Sequence, residues 1–121
     1  MPKILTIDDE VEFTNIISNY FAPRGFDVLI AHSGEQALDI AHKQNPDVFL
    51  IDLKMPGLHG DEVMRMILKN QPSAKCIMIT ASEGEEKVRN YLMKLGAFAC
   101  FDKPLTSLRD LEDKIREALG R

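Results

Sequence analysis

Five short, almost uninterrupted apolar runs recur along the chain: KILTI at 3–7, FDVLIA at 26–31, DVFLI at 47–51, KCIMIT at 75–80 and AFACF at 97–101. Runs of this length without polar alternation predict strands buried on both faces. Between them, apolar residues return at helical spacing: Val11, Ile16, Ile17 and Tyr20; Ala37, Leu38 and Ala41; Val63, Met66 and Ile67; Val88, Tyr91, Leu92 and Leu95; Leu108, Leu111, Ile115 and Leu119. Each set lays one apolar stripe on a sheet. Ser33 to Gln36, Ser82 to Glu85 and Ser107 to Asp110 have the spacing of a capping box or its acidic analogue, so three helices carry start signals. Gly25 and Gly96 follow the first and fourth stripes, where a left-handed residue ends a helix.

Strand and helix thus alternate five times. Right-handed crossovers turn that alternation into a doubly wound α/β domain, a (βα)5 sandwich whose five-stranded parallel sheet is flanked by helices on both faces. Such a sheet takes its ligand at the carboxyl ends of its strands, near a switch point in strand order. With 121 residues and no repeat, low-complexity tract or linker, residues 1–121 are expected to form a single domain.

Composition acts mainly by exclusion. Fifteen Lys and Arg against 19 Asp and Glu leave a formal charge of −4, which gives no general basic field for nucleic acid or an anionic membrane. No apolar run approaches the ~20 residues of a membrane span, and the start MPKILTIDDE lacks a signal-peptide core, so a cytoplasmic location is expected. Cys76 and Cys100 each sit in an apolar run and are read as buried, reduced thiols.

The chemistry gathers where the strands end. The first strand runs into Asp8 and Asp9, the third into Asp52, the fourth ends in Thr80, and the fifth is followed by Asp102 and Lys103. Asp9 alone could be a helix cap with Glu12 three residues on, and Asp52 alone a turn former before KMPG. Neither role explains a hydroxyl and an ammonium at the same edge. Three acids and one lysine carry a formal charge of −2, which one divalent cation cancels. Oxygen donors favour Mg²⁺ over zinc, with Mn²⁺ chemically admissible. His32, His42 and His59 fall outside the strand ends and are read as surface residues.

DD at 8–9, IDLKMPG at 51–57, MITAS at 78–82 and FDKP at 101–104 together resemble the receiver domain of two-component response regulators, over essentially the whole chain. The resemblance implies the flavodoxin-like (CheY-like) arrangement. It also implies phosphoryl transfer from a histidine kinase or histidine phosphotransfer protein to Asp52, with Asp9, Asp52 and the backbone carbonyl of Lys54 as Mg²⁺ ligands and Asp8 acting through metal-bound water. Lys103 then matches the phosphoryl-facing lysine and Thr80 the switch hydroxyl. Phe101 matches the switch aromatic, lacking the hydroxyl of the tyrosine often found there. A cis peptide bond before Pro104, a small residue at Ala81 for phosphate approach, and an influence of Lys54 and Ser82 on phosphate lifetime follow from the same likeness. Neither of the last two is a water-positioning acid or amide, which implies slow-to-moderate self-hydrolysis and no activity beyond the domain's own phosphorylation and dephosphorylation.

Partners follow likewise. Asn15, Ser18 and Asn19 on the first helix are candidates for the kinase contact. The face made by the fourth helix, fifth strand and fifth helix would serve an output domain or protein. Glu86, Lys87, Arg89, Arg109, Asp113 and Arg116 on that face form either a solvated surface or a phosphorylation-dependent homodimer contact. A flavodoxin would need a Ser, Thr and Gly-rich loop where this chain has DDEVE, and a haloacid-dehalogenase-type phosphatase would carry D-x-D and a longer core. The remaining alternative is a receiver-like binding module that is not phosphorylated, although such proteins usually lose an acid or the lysine, and all are present here.

Overall fold

The computed structural model describes residues 1–81 and 85–121. The elements are β1 (Lys3–Ile7), α1 (Val11–Phe21), a 3-10 turn (Ala22–Arg24), β2 (Asp27–Ala31), α2 (Gly34–Gln44), β3 (Val48–Ile51), α3 (Gly60–Asn70), β4 (Lys75–Thr80), α4 (Glu86–Leu95), β5 (Ala99–Asp102) and α5 (Leu108–Ala118). All strand pairs are parallel, in the order β2-β1-β3-β4-β5. The chain therefore moves outward in one direction from β1 to β2 and in the other from β3 to β5. The crevice between β1 and β3 is the switch point.

Strand alternation divides the core in two. Leu5, Ile7, Phe49, Ile51 and Met78 face α2, α3 and α4, with Ala37, Val63, Met64 and Leu92 packed on them. Ile4, Val48, Leu50, Ile77 and Ile79 face α1 and α5, meeting Ile17, Phe21, Leu111 and Ile115. Both sheet faces are covered, which is why the strands read as continuous apolar runs. β5 is displaced from its run: it begins at Ala99 and continues through Asp102, which pairs with Thr80. An edge strand tolerates a polar residue that a central strand would not.

Three stripes differ from expectation, one of them on α4, where Tyr91 is 41% exposed and its hydroxyl donates to Asp61. On α1 the buried positions are Thr14, Ile17 and Phe21. Val11 and Ile16 are 54% and 50% exposed. On α3 Met64 is buried and Met66 exposed. Helices α1 and α3 carry apolar residues on more than one face, so spacing alone does not fix which face meets the sheet.

The start signals are partly realised. The Ser33 hydroxyl accepts from the Gln36 N–H at 3.2 Å, while the Gln36 side chain accepts from the His32 N–H at 2.8 Å, one residue upstream of a reciprocal box. Ser107 accepts from the Asp110 N–H at 3.1 Å. Ser82 lies outside the described residues, and the N-cap of α4 is Glu85, with no side-chain cap. His59, exposed as expected, supplies a start that the sequence pattern did not signal: it caps α3 reciprocally with Glu62. Gly96 ends α4 at φ +117°, whereas Gly25 ends the 3-10 turn rather than α1 itself.

Cys76 is buried, and burial pushes its thiol up to about 12. Cys100 is half-buried rather than buried, because β5 is an edge strand, and its Sγ lies 3.8 Å from Met93 Sδ. Both are free. Among the described residues no helix is long and apolar enough to cross a membrane.

Candidate functional site

Two strand ends set the floor of the site. The Asp8 N–H continues the β1–β2 ladder by donating to Ala31 O at 3.0 Å, and the Asp52 N–H continues the β3–β1 ladder by donating to Ile7 O at 3.0 Å. Extending adjacent strands by one residue brings both carboxylates to the switch point, where both are buried. Asp9, the next residue along, is exposed. The chain then turns into α1, with the Glu10 N–H donating to Asp8 Oδ1 at 2.9 Å.

α3 abuts the floor from below. A Cβ on Gly60 would stand 2.1 Å from the carbonyl oxygen of Asp52, and the Gly60 N–H donates to Leu53 O at 2.9 Å. Only glycine fits there, so the helix start is flush with the Asp52 backbone.

Lys103 reaches in from the opposite side. Its N–H donates to Thr80 O at 3.1 Å, which ties the end of β5 to the end of β4, and the bond to Pro104 is cis, as expected. Its Nζ lies 2.5 Å from Asp8 Oδ2, 2.8 Å from Glu10 Oε1 and 3.7 Å from Asp52 Oδ2. The Phe13 ring centroid is 4.5 Å away on a further side. Pro104 is exposed beside it.

The electrostatics follow from this crowding. Burial pushes the Asp52 carboxyl up to about 6, and the Asp8 and Asp9 charges push the same way, against the Lys103 ammonium and the Lys54 N–H. Asp8 is also raised, chiefly by burial, despite its bonds from Lys103 and the Glu10 N–H. Burial works against the charge on Lys103, yet the bonds it donates to Asp8 and Glu10 and the charge of Asp52 hold it above the ordinary lysine value. The site is short of positive charge.

Thr80 closes the β4 side. Only 2% exposed, it leaves its Oγ1 buried without a hydrogen-bond partner among the described residues. A buried hydroxyl left unpaired is costly. Phe101, beside Ile79 in the β4–β5 register, is half-buried and packs on the α1/α5 side of the core. Ala81 is exposed, and its carbonyl accepts from Lys54 Nζ at 3.3 Å, a strap between the loops after β3 and β4.

The structure thus brings Asp8, Asp52, Thr80 and Lys103 to one crevice, while Asp9 stands at its exposed lip and Ser82 lies outside the described residues. Among the described residues, the carboxylates within 4.8 Å of one another are those of Asp8, Glu10 and Asp52. Glu10 and Gly60 were not singled out from the sequence. Glu10 had a signal, as the third acid of DDE; Gly60 had none, because a glycine before a helical stripe reads as an ordinary loop residue. A set of hard oxygen donors with a raised carboxyl suits Mg²⁺.

A model of the response regulator receiver domain matches residues 4–116. The chain belongs to that family. This receiver is 36% identical over all its 121 residues to the transcriptional regulatory protein CpxR of Escherichia coli, and spans only half the length of that relative. It is 34% identical over 98% of its length to sporulation initiation phosphotransferase F of Bacillus subtilis, covering 91% of that protein. The crystal structure of the response regulator TrrA of Thermotoga maritima in complex with Mg²⁺-BeF superposes with a TM-score of 0.86 at 29% identity, covering 98% of this chain and 99% of that one. The receiver accordingly has the CheY-like fold of the receiver domains of two-component response regulators. Receivers bind Mg²⁺ at an acidic cluster, and this one presents such a cluster.

Proposed function

We propose that Asp52 is the phosphoacceptor, taking a phosphoryl group from the phosphohistidine of a histidine kinase or phosphotransfer protein. The observation that carries this is a buried, charge-strained Asp52 carboxylate with the Lys103 ammonium 3.7 Å away, beside a Thr80 hydroxyl that has no hydrogen-bond partner among the described residues. An Asp52 oxygen attacks phosphorus without first needing a base, because a carboxylate above its pKa carries no proton. Lys103 supplies a compact cation toward the transferred oxygens. Thr80 donates its hydroxyl to an oxygen present only after transfer, which draws its loop inward and lets Phe101 follow. Asp8, Asp9, Asp52 and the Lys54 carbonyl are the residues that would hold Mg²⁺. The ion, when bound, offsets negative charge on the acids and the phosphoryl oxygens.

The donor's docking surface is the groove beside the site, lined by Glu12, Phe13, Ile16, Ala81, Leu105 and Leu108. It accounts for the exposed Ile16, which a helix packed only on its own sheet would not display. The α4-β5-α5 face is the output surface, read by an attached domain, a separate protein or a second copy. We take residues 1–121 as one response-regulatory domain acting in the cytoplasm, without direct nucleic-acid contact and without turnover of any substrate but its own phosphoryl group.

The test is intact mass after incubation with acetyl phosphate and Mg²⁺. One phosphoryl-sized gain is expected, abolished by EDTA and by Asp52→Asn. A gain that persists in Asp52→Asn would move the acceptor elsewhere, and no gain in the wild type would favour a binding module that is not phosphorylated.

A further inference from the structure

Lys103 does not rest against Asp52. Its ammonium has three donors, and the two short contacts are to Asp8 at 2.5 Å and Glu10 at 2.8 Å, while Asp52 at 3.7 Å lies beyond hydrogen-bond range. Glu10 is well placed to hold it. Its backbone is the N-cap of α1, fixed to Asp8 through the N–H, so the carboxylate swings from a rigid hinge. Phe13, three residues on and so on the same face of the helix, offers its ring to the ammonium at 4.5 Å. The side chain of Glu10 itself is 65% exposed and rims the docking groove.

We propose that Glu10 is a positioning residue that parks Lys103 on α1, so that a phosphoryl group arriving at Asp52 competes with it for the ammonium. This rests on Asp52 being the acceptor. In the step concerned, an Asp52 oxygen forms a bond to phosphorus as the bond from phosphorus to the acetyl oxygen breaks. Acetate leaves with the electron pair, and Lys103 keeps its proton throughout. Holding Lys103 aside withholds positive charge from the oxygens on which negative charge accumulates. Glu10 also adds a like charge at the rim that the donor approaches. A partner that engages Glu10 in the groove thereby releases Lys103 to the site, which gives docking a direct effect on transfer.

Glu10→Gln keeps the shape and weakens the charge-assisted bond to that of a neutral acceptor. Phosphorylation by acetyl phosphate at saturating Mg²⁺ is expected to quicken about threefold to tenfold. Asp39→Asn, which removes an exposed charge on α2 outside the groove, should stay within about twofold. The half-saturating Mg²⁺ concentration should be unchanged in Glu10→Gln. Independently of any phosphorylation, the ¹⁵Nζ resonance of Lys103 in the metal-free protein should move in Glu10→Gln and not in Asp39→Asn. Equal or slower phosphorylation in Glu10→Gln, equal acceleration by both variants, a raised Mg²⁺ requirement, or an unmoved Lys103 resonance each overturn the proposal. Absence of a phosphoryl gain in the wild type would instead overturn the assignment of Asp52, leaving the Lys103 resonance to decide where the lysine is held.

Discussion

Asp52 is a residue that the fold holds at some cost. Its carboxyl is raised from 3.8 to about 6, so the native state binds its proton more readily than the unfolded chain does, and above pH 6 the charge works against folding. In EDTA at pH 7.5, Asp52→Asn should therefore be more stable than wild type, on the order of 1–3 kcal/mol, visible as a melting temperature several degrees higher. The advantage should shrink as the pH falls through about 6, where wild type takes up the proton. An equal or lower melting temperature for the variant at pH 7.5 would mean that the carboxylate is compensated. At this scale the sequence was legible wherever a polar residue ended an apolar run, as at Asp8, Asp52, Thr80 and Lys103. It was not legible at the lip. Adjacent acids alternate in direction as they leave a strand, and nothing local says which of Asp8, Asp9 and Glu10 turns inward or reaches across to a lysine 93 positions away.

Elements are joined by contacts that periodicity does not reveal. Glu112, buried on α5, accepts from the Tyr20 hydroxyl and Arg24 Nε at 2.9 Å each, and from Arg116 Nε and Nη2 at 3.0 and 2.9 Å. The Arg24 guanidinium lies over the Tyr20 ring at 4.4 Å. Burial alone would raise the Glu112 carboxyl, but Arg116, Tyr20 and Arg24 hold it below its ordinary 4.5. A depressed folded value means that the stabilisation is full at neutral pH and is lost as the pH falls below the ordinary value and through the folded one. Glu112→Gln should cost about 1–2 kcal/mol in a urea melt at pH 7. The deficit should narrow below pH 4, and a deficit independent of pH would assign the loss to packing instead. Tyr20 read as part of an apolar stripe and Arg116 as part of a charged outer face, because each shows only half its character to a pattern search. The strands other than β5, by contrast, were legible to within a residue, because sheet faces covered on both sides leave little freedom of composition.

For the molecule as a whole, the decisive feature is the order β2-β1-β3-β4-β5. Local periodicity carries no information about which strand lies beside which, so the neighbourhood of β1 and β3 was implied only by acids that needed a common crevice. The same order aligns the site with both working surfaces. α1 and the β5–α5 loop frame the groove on one side of Lys103, and Thr80 leads into α4 on the other. α3 starts directly against Asp52, and its Asp61 accepts from the Tyr91 hydroxyl of α4 at 2.7 Å, so the helix beneath the site also touches the output face. The central claim is that one carboxylate, at Asp52, receives the phosphoryl group. Reduction of the freshly phosphorylated protein with borohydride tests it most directly, since an aspartyl phosphate is converted to homoserine and marks its own position. Peptide mass mapping should find homoserine at position 52; homoserine at position 8 or 9, or a phosphorylated protein in which no aspartate is converted, would contradict the account.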